Sequence, residues 1–209
     1  MKPKTSSPRW TLGLTSIAFF MVTLDALVVA TALPSIQRDL HVGVSTLEWT
    51  VNAYALTFAA GIVTAAALGD RLGRRRVFMA GLAVFTVASA ACALAPSPGL
   101  LLAARAVQGL GAAAVMPLSL TILTAAFPPE RRGAVVGIWG AIAGLGVASG
   151  PVIGGAITQG IDWHWIFWVN VPIGATALGL CRLRLAESYG PTARLDLRGL
   201  SLITAAALA

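Results

Sequence analysis

Apolar residues run along this chain in long unbroken blocks, not in the one-sided stripes of helices that face water. Six stretches, 10–33, 47–68, 77–95, 99–127, 134–157 and 163–181, are almost free of charge. A helix needs about 20 apolar residues to cross a hydrocarbon core of about 30 Å, so each block predicts one membrane-spanning helix. Prolines punctuate them. Pro34, Pro96 with Pro98, and Pro128 with Pro129 stand where spans are predicted to end, as suits residues that cannot continue a helix. After Arg198 a further apolar run, 199–209, reaches only about half of the core at about 1.5 Å per residue. It predicts the truncated start of a seventh helix, and with it a chain that is either a fragment or a shortened product.

Composition agrees with this pattern. Hydrophobic residues make up 57% of the 209, charged ones only 11%, and mean hydropathy is +0.81, more apolar than a soluble domain of this size requires. The net charge of +7 does not point to nucleic acid, because the basic residues flank the apolar blocks and form no patch with interleaved aromatics. They serve topology instead. Lys2, Lys4, Arg9, Arg71, Arg74, Arg75, Arg76, Arg131, Arg132, Arg182, Arg184, Arg194 and Arg198 fall on one side of a six-span arrangement. Arg38 alone falls on the other, and Arg105 lies inside a span. Arginine-rich loops stay cytoplasmic, so both ends of the unit are expected there, in a multi-pass protein of the cell membrane. The first block is too long for a signal peptide and lacks a small-residue cleavage site. Cys92 and Cys181 have no metal-ligand spacing and read as small buried hydrophobes.

The residues with chemical interest are few. Between the second and third blocks lies Leu68-Gly-Asp-Arg-Leu-Gly-Arg-Arg-Arg76. Here Gly69 and Gly73 permit a sharp reversal, and Asp70 sets a carboxylate near the next helix's N-terminus, where it is electrostatically favoured. Asp25 and Arg105 are ionisable groups inside spans, expensive there and therefore functional candidates. The predicted depths match, which sets the pair across one cavity in its outer half; a structural ion pair or snorkelling near the interface is the alternative. Low dielectric disfavours the charged form of a carboxylate, and such a group can take and release protons through a cycle. Asp25 is accordingly the proton-coupling candidate, with Arg105 its modulator or an anion partner. In the fifth block, Gly146-x-x-x-Gly150-Pro-x-x-Gly154-Gly155 sets Gly146, Gly150 and Gly154 on one helical face, a surface on which another backbone can approach closely, with Pro151 bending the helix. The sixth-block aromatics Trp163, Trp165, Phe167 and Trp168 suit either a hydrophobic pocket or an interfacial belt, and the belt is preferred.

Taken in order, these motifs resemble the major facilitator superfamily, and within it the fourteen-helix drug:proton antiporters. The loop with Gly69, Asp70, Arg71, Gly73, Arg74 and Arg75 resembles the signature between helices 2 and 3, with Ala66 where the family has Gly. Leu24-Asp25 with Ala32-Leu33-Pro34 resembles the first-helix motif, with Leu27 where Thr is usual. Trp49 and Tyr54 fit the second helix, Arg105-x-x-Gln108-Gly-x-Gly111 the fourth, Gly150-Pro151 the antiporter motif of the fifth. Trp165-Ile-Phe followed by Asn170-x-Pro172-x-Gly174 fits the sixth, with His164 where Arg is common.

The resemblance implies an all-α membrane fold of six transmembrane helices as two inverted three-helix repeats, the N-terminal half of a transporter. Residues 1–9 would be a cytoplasmic segment, 10–181 the six-helix domain, 182–198 a cytoplasmic loop and 199–209 the start of helix seven. It implies a proton-coupled exporter of small amphiphilic substrates, driven by the proton gradient with no other cofactor and no metal. Tyr54, Gln108 and Asn170 would line the cavity. The missing C-terminal half would pack on the fifth-helix face and meet the Asp70 loop as a gate. Two other readings stay open, a non-transporting membrane protein that pairs with another chain and a carrier of a metabolite. No Ser, His, Cys or carboxylate constellation suggests an enzyme.

Overall fold

The computed structural model describes residues 7–190. Lys2, Lys4, Arg194, Arg198 and the apolar run 199–209, with the expected start of a seventh helix, lie outside the described residues. The described chain is helical: α1 Pro8–Leu40, α2 Val44–Leu72, α3 Arg74–Ala93, α4 Pro98–Ala125, α5 Pro129–Gly160, α6 Trp165–Trp168 and α7 Asn170–Arg184. The last two form one broken span, so six segments are long and apolar enough to cross a membrane. In a bilayer core without water only a helix satisfies the backbone N–H and C=O groups within a single segment, which is why unbroken apolar sequence becomes unbroken helix.

The boundaries correct the reading of the prolines. Pro98 and Pro129 open α4 and α5 as their first residues, where the absent N–H costs nothing. Pro34 does not end the first helix, as its position suggested. The helix continues to Leu40 and closes on His41, a left-handed residue at φ 51° whose N–H bonds to the Gln37 carbonyl. One proline forfeits one bond of a long ladder, and the turns on either side hold.

The topology is that of two interleaved halves. α2 packs on α4, and α1 packs on α5, so in each pair one helix comes from the first three and one from the second three. This reciprocity is what two inverted repeats produce. α1 and α4 form the buried centre, while α2 and α5 leave most of their surface uncovered. Glycines allow the close approach. A Cβ on Gly111 would strike the Phe85 backbone of α3, and one on Gly109 would strike the Tyr54 carbonyl of α2.

Candidate functional site

A buried polar network sits where α1, α2, α3, α4 and the α6–α7 break converge. Asp25 comes from α1. Arg105 and Gln108 come from α4, three residues apart and therefore on one face. Arg105 NH1 donates to Asp25 Oδ2 at 2.6 Å and to Gln108 Oε1 at 2.7 Å. Gln108 Nε2 donates to Asp25 Oδ1 at 3.0 Å, and Asn170 Nδ2 donates to the same oxygen at 2.9 Å. Both carboxylate oxygens are thus engaged, and Asp25 is wholly excluded from solvent. The remaining reach of Arg105 is used as well: Nε donates to the Thr50 carbonyl at 3.3 Å, and the guanidinium lies 4.2 Å above the Tyr54 ring and 5.8 Å from that of Phe167. A buried arginine requires this combination of charge partner, hydrogen bonds and aromatic face.

All five residues named for coupling and cavity lining, Asp25, Arg105, Tyr54, Gln108 and Asn170, therefore meet in one cluster. The pair does not face itself across an open cavity, as the matching depths suggested, but is in direct contact and buried. The Tyr54 hydroxyl is buried with no hydrogen-bond partner among the described residues.

Two members of the cluster, Ser89 and Thr50, carried no signal in the sequence. Ser89 of α3 accepts from Asn170 Nδ2 at 3.1 Å and donates to the Phe167 carbonyl at 3.0 Å. Thr50 contributes only a carbonyl. The carbonyl of Phe167 stands just before the break at Val169, so Ser89 and Asn170 tie Asp25 to that break.

A second polar cluster lies at the α2–α3 turn. Gly73 takes φ 110°, a conformation open mainly to glycine, and makes the reversal alone. Gly69 has a different role: it is buried inside α2, and a Cβ there would strike Leu118 of α4. Asp70 does not cap α3. Its Oδ1 accepts from Arg74 Nε at 2.7 Å within the same turn. The carboxylate at the α3 N-terminus belongs to Glu187, which accepts from the Arg75 backbone N–H at 2.8 Å and lies 3.7 Å from Arg76 Nε. The segment after α7 is strapped across this turn. Arg74 N–H donates to the Ser188 carbonyl at 2.8 Å, Gly190 N–H to the Asp70 carbonyl at 3.0 Å, and Arg75 NH1 to the Leu185 carbonyl at 2.9 Å. Arg71 is exposed and stands outside this strap.

The glycine face of α5 is occupied from within. A Cβ on Gly146 would meet Thr23, one on Gly150 would meet Leu27 at 2.7 Å, and one on Gly154 would meet Thr31 and Val28, all on α1. The expectation that this face serves a second domain is corrected: its small residues are needed for α1 to pack against α5. Gly155 and Pro151 point away from α1, Gly155 with nothing near its Cβ position and Pro151 exposed. The aromatics also divide. Trp165 is exposed, as a belt residue would be, while Trp163 is buried and donates from Nε1 to Asp39 Oδ2 at 3.0 Å, joining the α5–α6 connection to the end of α1. Among the described residues no group of His, Cys, Asp and Glu is arranged to hold a metal. Cys92 and Cys181 are buried and form no disulfide.

A bundle of apolar helices in two inverted halves, with an ion pair sealed at its centre, defines a membrane-transport unit. The Major Facilitator Superfamily profile matches residues 15–205, and the chain belongs to this family, one of transporters and not of enzymes. It is 47% identical over 191 residues to the multidrug resistance protein Stp of Mycobacterium tuberculosis, covering 90% of this chain and 36% of that protein. It is 38% identical over 198 residues to the tetracenomycin C resistance and export protein of Streptomyces glaucescens, covering 94% and 37%. It is 42% identical to the drug efflux pump JefA of Mycobacterium tuberculosis, covering 98% and 41%. The chain thus spans about two fifths of these relatives' length or less. The xylose symporter XylE shares the fold, with a TM-score of 0.75 over 84% of this chain and 44% of that one, at 14% identity.

Proposed function

We propose that this chain forms the N-terminal half of a proton-coupled exporter of small amphiphilic compounds in the cell membrane, with its N-terminus and the α2–α3 turn on the cytoplasmic side. The observation that carries the reading is the Asp25–Arg105 pair, sealed among membrane-spanning helices and surrounded by donors. Intramembrane ionisable residues at such cost mark ion and proton pathways. Protonating Asp25 would cancel its charge, weaken its hold on Arg105 and release Gln108 and Asn170 from one shared acceptor. The helices that carry these groups would then be free to shift, and a substrate would exploit that freedom.

The names of the relatives support export of drug-like molecules, and the arginine count supports the orientation. The second half would complete the substrate cavity and meet the Asp70 turn, which would act as a gate. The proton gradient would supply the energy, with no cofactor. The test uses everted vesicles that carry the full polypeptide. Asp25→Asn is expected to abolish substrate accumulation driven by an imposed proton gradient while leaving substrate binding measurable. Unchanged gradient-driven transport in Asp25→Asn would remove Asp25 from the mechanism.

A further inference from the structure

An apolar groove of about 430 Å³ runs between α1 and α7, lined by Leu14 and Ile17 on one side and Pro172, Ile173, Thr176 and Leu180 on the other. None of these residues is charged, and only Thr176 carries a hydroxyl. From Pro172 to Leu180 the groove follows α7 for about 12 Å, at about 1.5 Å per residue. One turn beyond its end the chemistry changes. Trp10, four residues before Leu14, lies under the guanidinium of Arg184, four residues after Leu180, at 5.0 Å. Arg182 and Arg184 are exposed, and neither has an ion-pair partner among the described residues; the next carboxylate along the chain, Glu187, is engaged with Arg75 and Arg76.

A cationic end on an apolar channel fits a molecule of opposite design, an anion joined to a hydrocarbon chain. The half-exposed Trp10 ring beside that cation is the kind of amphipathic surface that sits at headgroup level. We propose that this groove binds one anionic phospholipid, an acyl chain lying along α1 and α7 and the phosphate resting on Arg184 with Arg182 beside it. The proposal rests on the membrane-spanning reading of α1 and α7, not on drug export. A lipid held there would bridge the first and last helices of the unit at its arginine-rich end.

The experiment is native mass spectrometry of the purified, delipidated full polypeptide with equimolar phosphatidylglycerol and phosphatidylcholine of matched chains. One phosphatidylglycerol is expected to be retained in preference. The double variant Arg182→Gln/Arg184→Gln should reduce that preference roughly tenfold or more, in line with the attraction of basic residues near an anionic surface. Thr176→Trp, which fills the groove, should weaken retention of both lipids. Equal retention of the two lipids, or indifference to both variants, overturns the proposal. Displacement by glycerol phosphate as effective as by the intact lipid also overturns it, since the site would then hold only an anion. A fluorescence check uses a conservative variant: phosphatidylglycerol with brominated chains should quench wild-type emission more than that of Trp10→Phe, and absence of Trp10-dependent quenching counts against the groove.

Discussion

Two arginine–carboxylate clusters in this protein use the same chemistry in opposite surroundings. At the centre Arg105 and Asp25 are 1% and 0% exposed, and Gln108, Asn170, Thr50 and Tyr54 complete their contacts. At the α2–α3 turn the pairs reach the surface, with Asp70 39% and Arg76 70% exposed, while Arg74 and Glu187 are mostly covered. Removing one partner of a buried pair strands a charge in low dielectric, whereas the partner of an exposed pair is resolvated by water. The comparison teaches that the central pair cannot lose one partner cheaply, while the ion pairs at the turn can be rearranged at small cost.

The largest effect that tests this contrast is expected from Arg105→Ala. It leaves Asp25 buried without its cation and should lower stability by about 3–5 kcal/mol. Unfolding monitored by circular dichroism in a mild detergent checks it. Asp25→Asn/Arg105→Gln should recover much of that loss, because no charge is then left unpaired. A loss below about 1 kcal/mol for Arg105→Ala would erase the distinction between the two clusters.

A smaller effect is expected from Glu187→Ala, which removes the carboxylate at the α3 N-terminus together with its contacts to Arg75 and Arg76. The loss should be about 1–2 kcal/mol, with faster proteolysis after α7. Asp70→Asn should cost less still, since the Asp70 side chain bonds only within its own turn. Equal losses for the two would mean that the strap adds nothing to the turn.

The smallest effect belongs to an exposed pair, Asp162 and His164 in the α5–α6 connection. Burial by itself would raise the Asp162 carboxyl, but the His164 backbone N–H at 2.8 Å and the His164 ring outweigh it and hold the carboxyl below its usual value of 3.8. A lowered folded value stabilises above the unfolded value and is lost as pH falls below it. His164→Ala should therefore narrow slightly, by well under 1 kcal/mol, the stability difference between pH 6 and pH 3, read as a change in Tm.

Much of this architecture is written locally. Six spans follow from six apolar blocks, and the expensive residues Asp25 and Arg105 announce themselves by being charged where charge is costly. Glu187 and Ser89 give no such signal. One is an ordinary carboxylate in a polar segment and the other a small hydroxyl on a helix, and both gain their roles from residues far away in sequence. The glycine face of α5 shows the same limit from another side: its spacing reveals that a backbone comes close, but not whose, and the answer is α1.

The sequence by itself determined that the described residues carry six membrane-spanning segments and that the arginines gather at one end of them, because these depend on the cost of moving each residue type into hydrocarbon, a property of composition and order. Only the tertiary structure decided that Asp25 touches Arg105, Gln108 and Asn170, which stand 80, 83 and 145 residues away. It alone decided that Glu187 rather than Asp70 caps α3, and that Trp163 turns inward to Asp39. Such partnerships arise when packed helices bring distant faces together, and no periodicity within one segment encodes the rotation of another.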